Sequence, residues 1–166
     1  FINGFLISAV LVAGIAGILC HYLFGSIRIE QSGKFVVESA ARWHVAITAA
    51  IFLLLQGVNW WLNRYSTLQD QGGNWAGAMY TDVNAVIPAQ TILAVAAGLV
   101  AVVFIITAIM ARWRLAIIGT AMLILTAIIG GGIYPFLVQE YQVNPSEQTL
   151  ETPFIERNME LTRYAY

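Results

Sequence analysis

The two histidines of the chain, His21 and His44, are the residues whose type and position could support chemistry. His21 lies about one turn before the end of a first apolar run, and His44 lies at the start of a second. If both runs are helices joined by one loop, the imidazoles lie at similar depth and could ligate a haem iron or relay protons. The alternative is that each bonds to backbone, water or lipid head groups. The sequence favours this alternative, because no Met or Cys spacing supports a ligand set.

Two amides, Gln56 and Asn59, lie three residues apart within the second apolar run and so share one face of a helix. Amides in lipid tend to form hydrogen bonds between helices, and this contact is the favoured interpretation. A polar path for a substrate is the alternative. None of the apolar runs contains the Asp, Glu or Lys that usually marks an ion or proton pathway. A secondary transporter formed by these runs alone is therefore disfavoured.

Three consecutive glycines, Gly130, Gly131 and Gly132, precede Pro135 near the end of the fourth apolar run. Glycine lowers helix propensity by about 1 kcal/mol, and proline removes a hydrogen bond to the carbonyl four residues earlier. The pattern predicts a kink or an unwound turn. Close helix packing, or a hinge to an external domain, is favoured over a substrate site.

Catalytic machinery is not apparent in the sequence. Cys20 is the only cysteine, which excludes an internal disulfide and any CxxC metal site. No nucleophile–base pair, zinc-ligand set or phosphate loop can be assembled. We therefore expect no enzyme, no catalytic residue, no metal site and no cofactor.

The composition is that of an integral membrane protein. The 166 residues are 59% hydrophobic and 10% charged, whereas a soluble domain has about 25% charged residues. A soluble globular domain and a disordered chain are thus disfavoured. A net charge of −1 gives no electrostatic footprint for a nucleic acid.

Four runs, over residues 5–24, 43–62, 86–110 and 115–138, are long enough to span a bilayer as helices. None contains a charged residue, and strand alternation is absent. Since a helix satisfies its own backbone in lipid, the prediction is an all-α integral membrane fold. Residues 1–138 form the transmembrane helical segment, and residues 139–166 form a tail that starts an external domain.

Basic residues predict the orientation. Five of the eight lie in the first and third loops, at positions Arg28, Lys34, Arg42, Arg112 and Arg114. The positive-inside rule places these loops in the cytoplasm. The beginning of the segment, the loop over residues 63–85 and the tail are then extracytoplasmic.

The tail changes in composition after Tyr141. Residues 142–153 are polar and contain Pro145 and Pro153, which predicts an irregular segment. Thr152 and Pro153 resemble an N-cap followed by a first-turn proline. The sequence therefore predicts that an amphipathic helix begins at residue 154.

Several polar motifs around the spans resemble one family. They are Asn63-Arg64-Tyr65, Tyr80-Thr81-Asp82-Val83-Asn84 with Pro88-Ala89, Trp113-Arg114-Leu115, Gly131-Gly132-Ile133-Tyr134-Pro135, Val138-Gln139 with Gln142-Val143, Glu156-Arg157-Asn158, and Thr162-Arg163-Tyr164-Ala165-Tyr166. With these motifs, residues 42–166 resemble uncharacterised protein family 0182, a group of bacterial multi-pass membrane proteins. The resemblance implies about seven spans, of which these are the last four, and a large extracytoplasmic domain. It implies a bacterial plasma membrane, or a thylakoid, and supplies no activity.

The expected function is that of a non-enzymatic accessory or assembly subunit that docks on a larger membrane complex. The lipid bilayer and the subunits of that complex are the expected partners, and no nucleic acid is expected. Small-residue faces such as Gly14 with Gly17 permit close helix association. Two alternatives remain: a transporter or envelope-lipid handling protein, and a haem or quinone site at His21 and His44.

Overall fold

The structure, a computed structural model, describes residues 2–30, 33, 35–68 and 77–165. Lys34 and Tyr166, named above, lie outside the described residues. Within the described ranges, four helices are long and apolar enough to cross a membrane: Ile2–Leu23, Ser39–Thr67, Asp82–Met110 and Trp113–Tyr164. The prediction of a predominantly helical chain with four helices long and apolar enough to span a membrane is confirmed.

Helix α1 (Ile2–Leu23) and helix α2 (Ser39–Thr67) are longer than the apolar runs that predicted them. Helix α2 exceeds its predicted range by more than one turn at its C-terminal end. The hydroxyls of Ser66 and Thr67 donate to the carbonyl of Asn63 at 2.8 and 3.0 Å. Polar side chains can thus satisfy carbonyls of a last turn that hydropathy alone does not detect.

A short antiparallel hairpin joins α1 to α2. Strands β1 (Ile27–Ile29) and β2 (Phe35–Val37) pair with Ile27 opposite Val37, and Arg28 forms an ion pair with Glu38 at 3.1 Å. The sequence does not predict this hairpin, and the described chain is otherwise helical. Three residues per strand are too few to show the alternation by which a strand is recognised.

Helix α3 (Ile87–Met110) is preceded by helical residues 80–81 and a π-helical turn, Asp82–Val86, so its helical path begins six residues before the predicted position 86. Ala111 has a positive φ of 56°, the left-handed conformation that commonly ends a helix. Arg42 Nε donates to the carbonyl of Ala108 at 2.9 Å. This contact satisfies one of the carbonyls left free in the last turn.

The fourth helical path continues well beyond the predicted end at residue 138. Its segments are α4 (Trp113–Ile128), a π-helical turn (Ile129–Ile133), α5 (Tyr134–Leu137), a π-helical turn (Val138–Val143), a 3-10 turn (Asn144–Ser146) and α6 (Glu147–Ala165).

Two predictions about this fourth path are therefore wrong. Residues 142–153 are helical rather than irregular, and Thr152 is inside α6, where its hydroxyl donates to the carbonyl of Gln148. The glycine segment is a π-helical turn, Ile129–Ile133, and the kink expected there stays a prediction. Packing explains the first difference, because Val138 and Val143 form a small core with Ala85, against which Leu150 also packs. A proline removes one hydrogen bond, and this packing outweighs that loss.

The chain divides into two compact units. The first contains residues 1–59 and 95–123, and the second contains residues 60–94 and 124–166. Buried alanines dominate the first unit, as at Ala46, Ala97 and Ala108, each 0% exposed. The second unit has its own small core around Val143. Small side chains allow helix backbones to approach closely, so the first unit packs tightly without bulky residues.

Candidate functional site

Helix α1 contacts α2 along a single stripe. The partly shielded positions of α1 recur at alternating intervals of four and three residues: Asn3, Ile7, Val10, Gly14, Gly17 and His21. This is the 3.5-residue repeat of helices that pack side by side in a left-handed sense.

Polar and small residues make the resolved contacts of this stripe, which we call the seam. Asn3 Nδ2 donates to Asn59 Oδ1 at 3.1 Å, so Asn59 makes an interhelical amide contact of the kind favoured above. A Cβ added to Gly14 would lie 3.0 Å from Thr48 Cγ2. Gln56 is half-buried one turn before Asn59 on α2. The seam therefore joins the helices through the Asn3–Asn59 hydrogen bond, two close glycine approaches and the histidine contact described next.

The second glycine approach holds the histidines. A Cβ added to Gly17 would lie 2.4 Å from His44 Cε1, so the His44 ring rests directly on the α1 backbone. His21 Nε2 and His44 Nδ1 are 3.0 Å apart, with the two rings nearly perpendicular. One nitrogen donates to the other. The structure thus brings together the two histidines that the sequence singles out.

This geometry favours a hydrogen-bonded pair over a haem site. A haem iron held by the two imidazoles from opposite sides needs their nitrogens about 4 Å apart, because iron–imidazole bonds are about 2 Å long. The observed separation is 3.0 Å, and Gly17 closes one side of His44. Within the described residues, no group of three His, Cys, Asp or Glu side chains is placed to hold a metal ion.

The motif Tyr80 to Asn84 begins the helical path to α3, and the second unit holds it in a polar cluster that we call the clasp. Glu151 of α6 is only 6% exposed, and its carboxylate oxygens accept the backbone N–H of Tyr80 at 3.1 and 3.3 Å. Thr81 Oγ1 donates to Gln139 Oε1 at 2.6 Å. The Tyr80 ring packs edge-on against Phe154. The clasp thus fixes α6 to the residues that start the third helix.

The start of this third helix is capped by an acidic side chain that bonds to a residue before it in the sequence. Thr81 makes no side-chain cap bond, and Asp82 Oδ2 instead accepts the N–H of Met79 at 3.0 Å. Asn84 Nδ2 donates back to the carbonyl of Tyr80 at 2.9 Å. A carboxylate that reaches back to a preceding N–H satisfies an orphan donor as the acidic residue of a capping box does.

An apolar cleft of about 420 Å³ lies in the second unit. Its walls come from the two helical paths that carry the π-helical turns, and its lining residues are Asn84, Pro88, Ala89, Ile92, Thr126, Ile129, Gly130 and Tyr134. Gly130 thus lines the cleft, and a Cβ added there would lie 3.5 Å from Ala89 Cβ. Gly131 and Gly132 are exposed and would meet nothing within 4 Å. Of the three glycines, only Gly130 makes a close approach.

Sequence reasoning missed three residues that the structure uses. Glu151 supports the clasp, Asn3 completes the seam, and Arg64 stacks on Trp61 at 4.0 Å while donating to Thr91 Oγ1 at 3.0 Å. The first N–H groups of any helix need acceptors, which is the signal that could have pointed to an acidic partner for the motif. Asn3 is the only amide in the first helix, and it lies at the same depth as Asn59 on the second helix. This shared depth could have indicated their hydrogen bond.

The comparisons with known proteins converge on one family. The sequence model of the uncharacterised protein family UPF0182 matches residues 1–166. A UPF0182 protein of Arthrobacter sp. (strain FB24) is 63% identical over 166 residues, which are 100% of this chain and 16% of that protein. Relatives from Micrococcus luteus and Leifsonia xyli subsp. xyli are 61% and 49% identical over 98% of this chain, which covers 16% and 17% of their respective lengths.

No solved structure matches the chain. The chain spans only about one sixth of the length of these relatives. On the match over all its residues, the chain belongs to the uncharacterised protein family UPF0182.

Proposed function

We propose that the chain is a non-enzymatic, membrane-embedded part of a larger protein that docks on a membrane complex as an accessory or assembly subunit. The observation that carries this proposal is the uncovered surface of α1. None of its 22 residues is buried, although the helix is apolar along its length. An apolar helix with one packed stripe offers the rest of its surface to lipid or to other helices.

The face of α1 opposite the seam supports docking. Phe5, Val12 and Leu19 recur every seven residues and are 69%, 63% and 56% exposed. At 100° per residue they lie about 180° from the stripe that contains Asn3, Val10 and Gly17. A row of this kind is the a or d pattern by which a further helix packs.

The seam and the clasp support a scaffold rather than a moving transporter. The seam sets α1 against α2, and the clasp fixes α6 to the start of the third helix through the buried Glu151 carboxylate. A buried carboxylate that accepts backbone hydrogen bonds is costly to release. We infer that the surface with which this protein binds the complex is already ordered before binding. A pre-ordered surface loses less conformational entropy on binding, which favours specific docking.

The experiment is a purification of the full-length protein at native expression level in mild detergent. We expect one membrane complex to co-purify at fixed stoichiometry, identified by quantitative mass spectrometry. The paired variants Val12→Trp and Val12→Ile test whether α1 makes the contact. Trp at an interface overpacks by roughly 1–3 kcal/mol, whereas Ile conserves shape, so only Val12→Trp should lose the complex.

The proposal fails if the purified wild-type particle contains only this protein. It also fails if Val12→Trp co-purifies with as much of the complex as Val12→Ile does. In the first case transport or envelope-lipid handling by the protein alone becomes the better account.

A further inference from the structure

The cleft in the second unit has the size and lining of a ligand site. Its volume of about 420 Å³ falls within the range of small-molecule pockets, which is about 300–1,000 Å³. Its lining is mainly apolar, and Asn84 and Tyr134 supply polar groups. Small residues at Ala89 and Gly130 leave the space open between the walls.

The backbone of both walls is unusual in the same way. Each wall carries a π-helical turn, Asp82–Val86 on one and Ile129–Ile133 on the other. Turns of this kind are rare and occur frequently at functional sites. In each wall a proline stands two residues after the turn, at Pro88 and at Pro135. The two walls therefore repeat one local design around the same space.

The prolines give the cleft hydrogen-bond acceptors. Both turns run in a five-residue register, with the Ile87 N–H on the Asp82 carbonyl and the Tyr134 N–H on the Ile129 carbonyl. The next donors in this register would be residues 88 and 135, but a proline has no N–H, so the carbonyls of Val83 and of Gly130, which lines the cleft, lose their donor. In an apolar environment such groups require a partner. A ligand that donates a hydrogen bond would supply it.

The side chains narrow the chemistry of the ligand. Asn84 Nδ2 donates to the carbonyl of Tyr80, which orients its amide, and the Tyr134 hydroxyl can both donate and accept. None of the described residues that line the cleft carries a charge. A phosphate would find no Arg or Lys there, and an ammonium would find no carboxylate. An uncharged hydroxyl, which donates and accepts, matches the carbonyls, the amide and the phenol.

We propose that the cleft binds one hydrocarbon chain of an uncharged, hydroxyl-bearing lipid, with the lipid hydroxyl at Asn84 and Tyr134. This inference goes beyond docking on a complex and does not depend on it. The lipid lies along the Ala89 and Gly130 faces, and its head reaches the two polar side chains.

The test uses full-length protein in phosphatidylcholine vesicles that contain a diacylglycerol with a diazirine in one acyl chain. A phosphatidylglycerol with the same chain and diazirine is the comparison probe. After illumination, mass spectrometry locates the adducts. We expect diacylglycerol adducts on the peptides of both walls, exceeding those of phosphatidylglycerol by about tenfold, equivalent to about 1.4 kcal/mol.

Two variants in the same turn provide the control. Gly130→Leu places a side chain in the cleft, whereas a Cβ at Gly132 meets nothing within 4 Å and Gly132 does not line it. We expect Gly130→Leu to abolish the diacylglycerol adducts and Gly132→Leu to retain them. Tyr134→Phe, which removes one hydroxyl, should erase most of the preference for diacylglycerol while leaving wall labelling by phosphatidylglycerol unchanged.

Equal labelling by both probes would overturn the proposal, since it would mean that ordinary bilayer lipid fills the cleft. Equal labelling of Gly130→Leu and Gly132→Leu would overturn it as well. Absence of adducts in all variants would mean that a helix of the full-length protein or of a partner occupies the space, which also contradicts the proposal.

Discussion

The seam and the clasp hold helices together by opposite means. In the seam, glycines bring backbones close to the side chains of the neighbouring helix, and the linking polar groups, Asn3 with Asn59 and His21 with His44, remain partly exposed. In the clasp, the Glu151 carboxylate, on a residue that is only 6% exposed, accepts the backbone N–H of Tyr80. Stability should therefore depend on shape in the seam and on satisfied buried polar groups in the clasp.

The largest loss of stability is expected from a bulky side chain placed in the close contact between α1 and α2 in the seam. Gly17→Leu places a Cβ 2.4 Å from His44 Cε1, so the His44 ring must leave the seam or α1 and α2 must separate. Overpacking of a tight contact costs about 3 kcal/mol. Thermal unfolding of the full-length protein in detergent should show this loss. Gly4→Leu on the same helix, where a Cβ meets nothing within 4 Å, should be close to wild type, and an equal loss in both variants would remove the special role of the seam.

The next effect is the loss of the buried acceptor in the clasp. Glu151→Ala leaves the Tyr80 N–H without its carboxylate, which costs about 1–3 kcal/mol. Hydrogen exchange should show faster exchange in the peptide that contains Tyr80. Glu160→Ala, an exposed position on the same helix, is the matched control. Unchanged protection of the Tyr80 peptide in Glu151→Ala would show that the clasp does not depend on this carboxylate.

Gly77→Ala should lower the free energy of unfolding by less, because the side chain that the new methyl group contacts can move away. Gly77 has a φ of +105°, which costs an L-residue about 1–2 kcal/mol. Its new Cβ would also lie 2.7 Å from Asn158 Nδ2, the end of a side chain that can move. Gly25→Ala, with φ +75° and nothing within 4 Å, isolates the backbone cost. Chemical denaturation should rank Gly77→Ala as the more destabilised variant, and the reverse order would refute the Asn158 contact.

The smallest expected effect is that of the amide pair in the seam. Asn59→Leu removes the acceptor of Asn3, and interhelical hydrogen bonds in membranes are worth about 0.6 kcal/mol on average. A double-mutant cycle with Asn3→Leu should give a coupling energy of this order. A coupling as large as the Gly17→Leu effect would mean that polar bonding, rather than shape, holds the seam.

Features that depend on the composition or spacing of one continuous segment could be predicted from the sequence. The four long apolar helices follow from long uncharged runs, because hydropathy sums over about twenty residues. The similar depth of His21 and His44 follows from their places in two neighbouring runs, whereas their direct hydrogen bond was not predicted. Both inferences rest on periodic or summed signals.

The residues that were missed depend on contacts distant in sequence. Glu151 and Tyr80 are separated by 71 positions, and no local pattern links them. The helical course through Pro145 and Pro153 is set by packing around Val143, which overrides the breaker signal. The cleft forms where the two helical paths with π-helical turns lie side by side. In the sequence, each turn alone indicates only the start of a helix or a glycine-rich break in one.

The central claim is that the uncovered face of α1 docks on another protein. The most direct measurement is photocrosslinking in living cells from a photoreactive residue at position 12 of the full-length protein at native level. Val12 is 63% exposed and lies opposite the seam. The account predicts one crosslinked product that contains a second membrane protein. Products confined to lipid or to the protein's own polypeptide would contradict it.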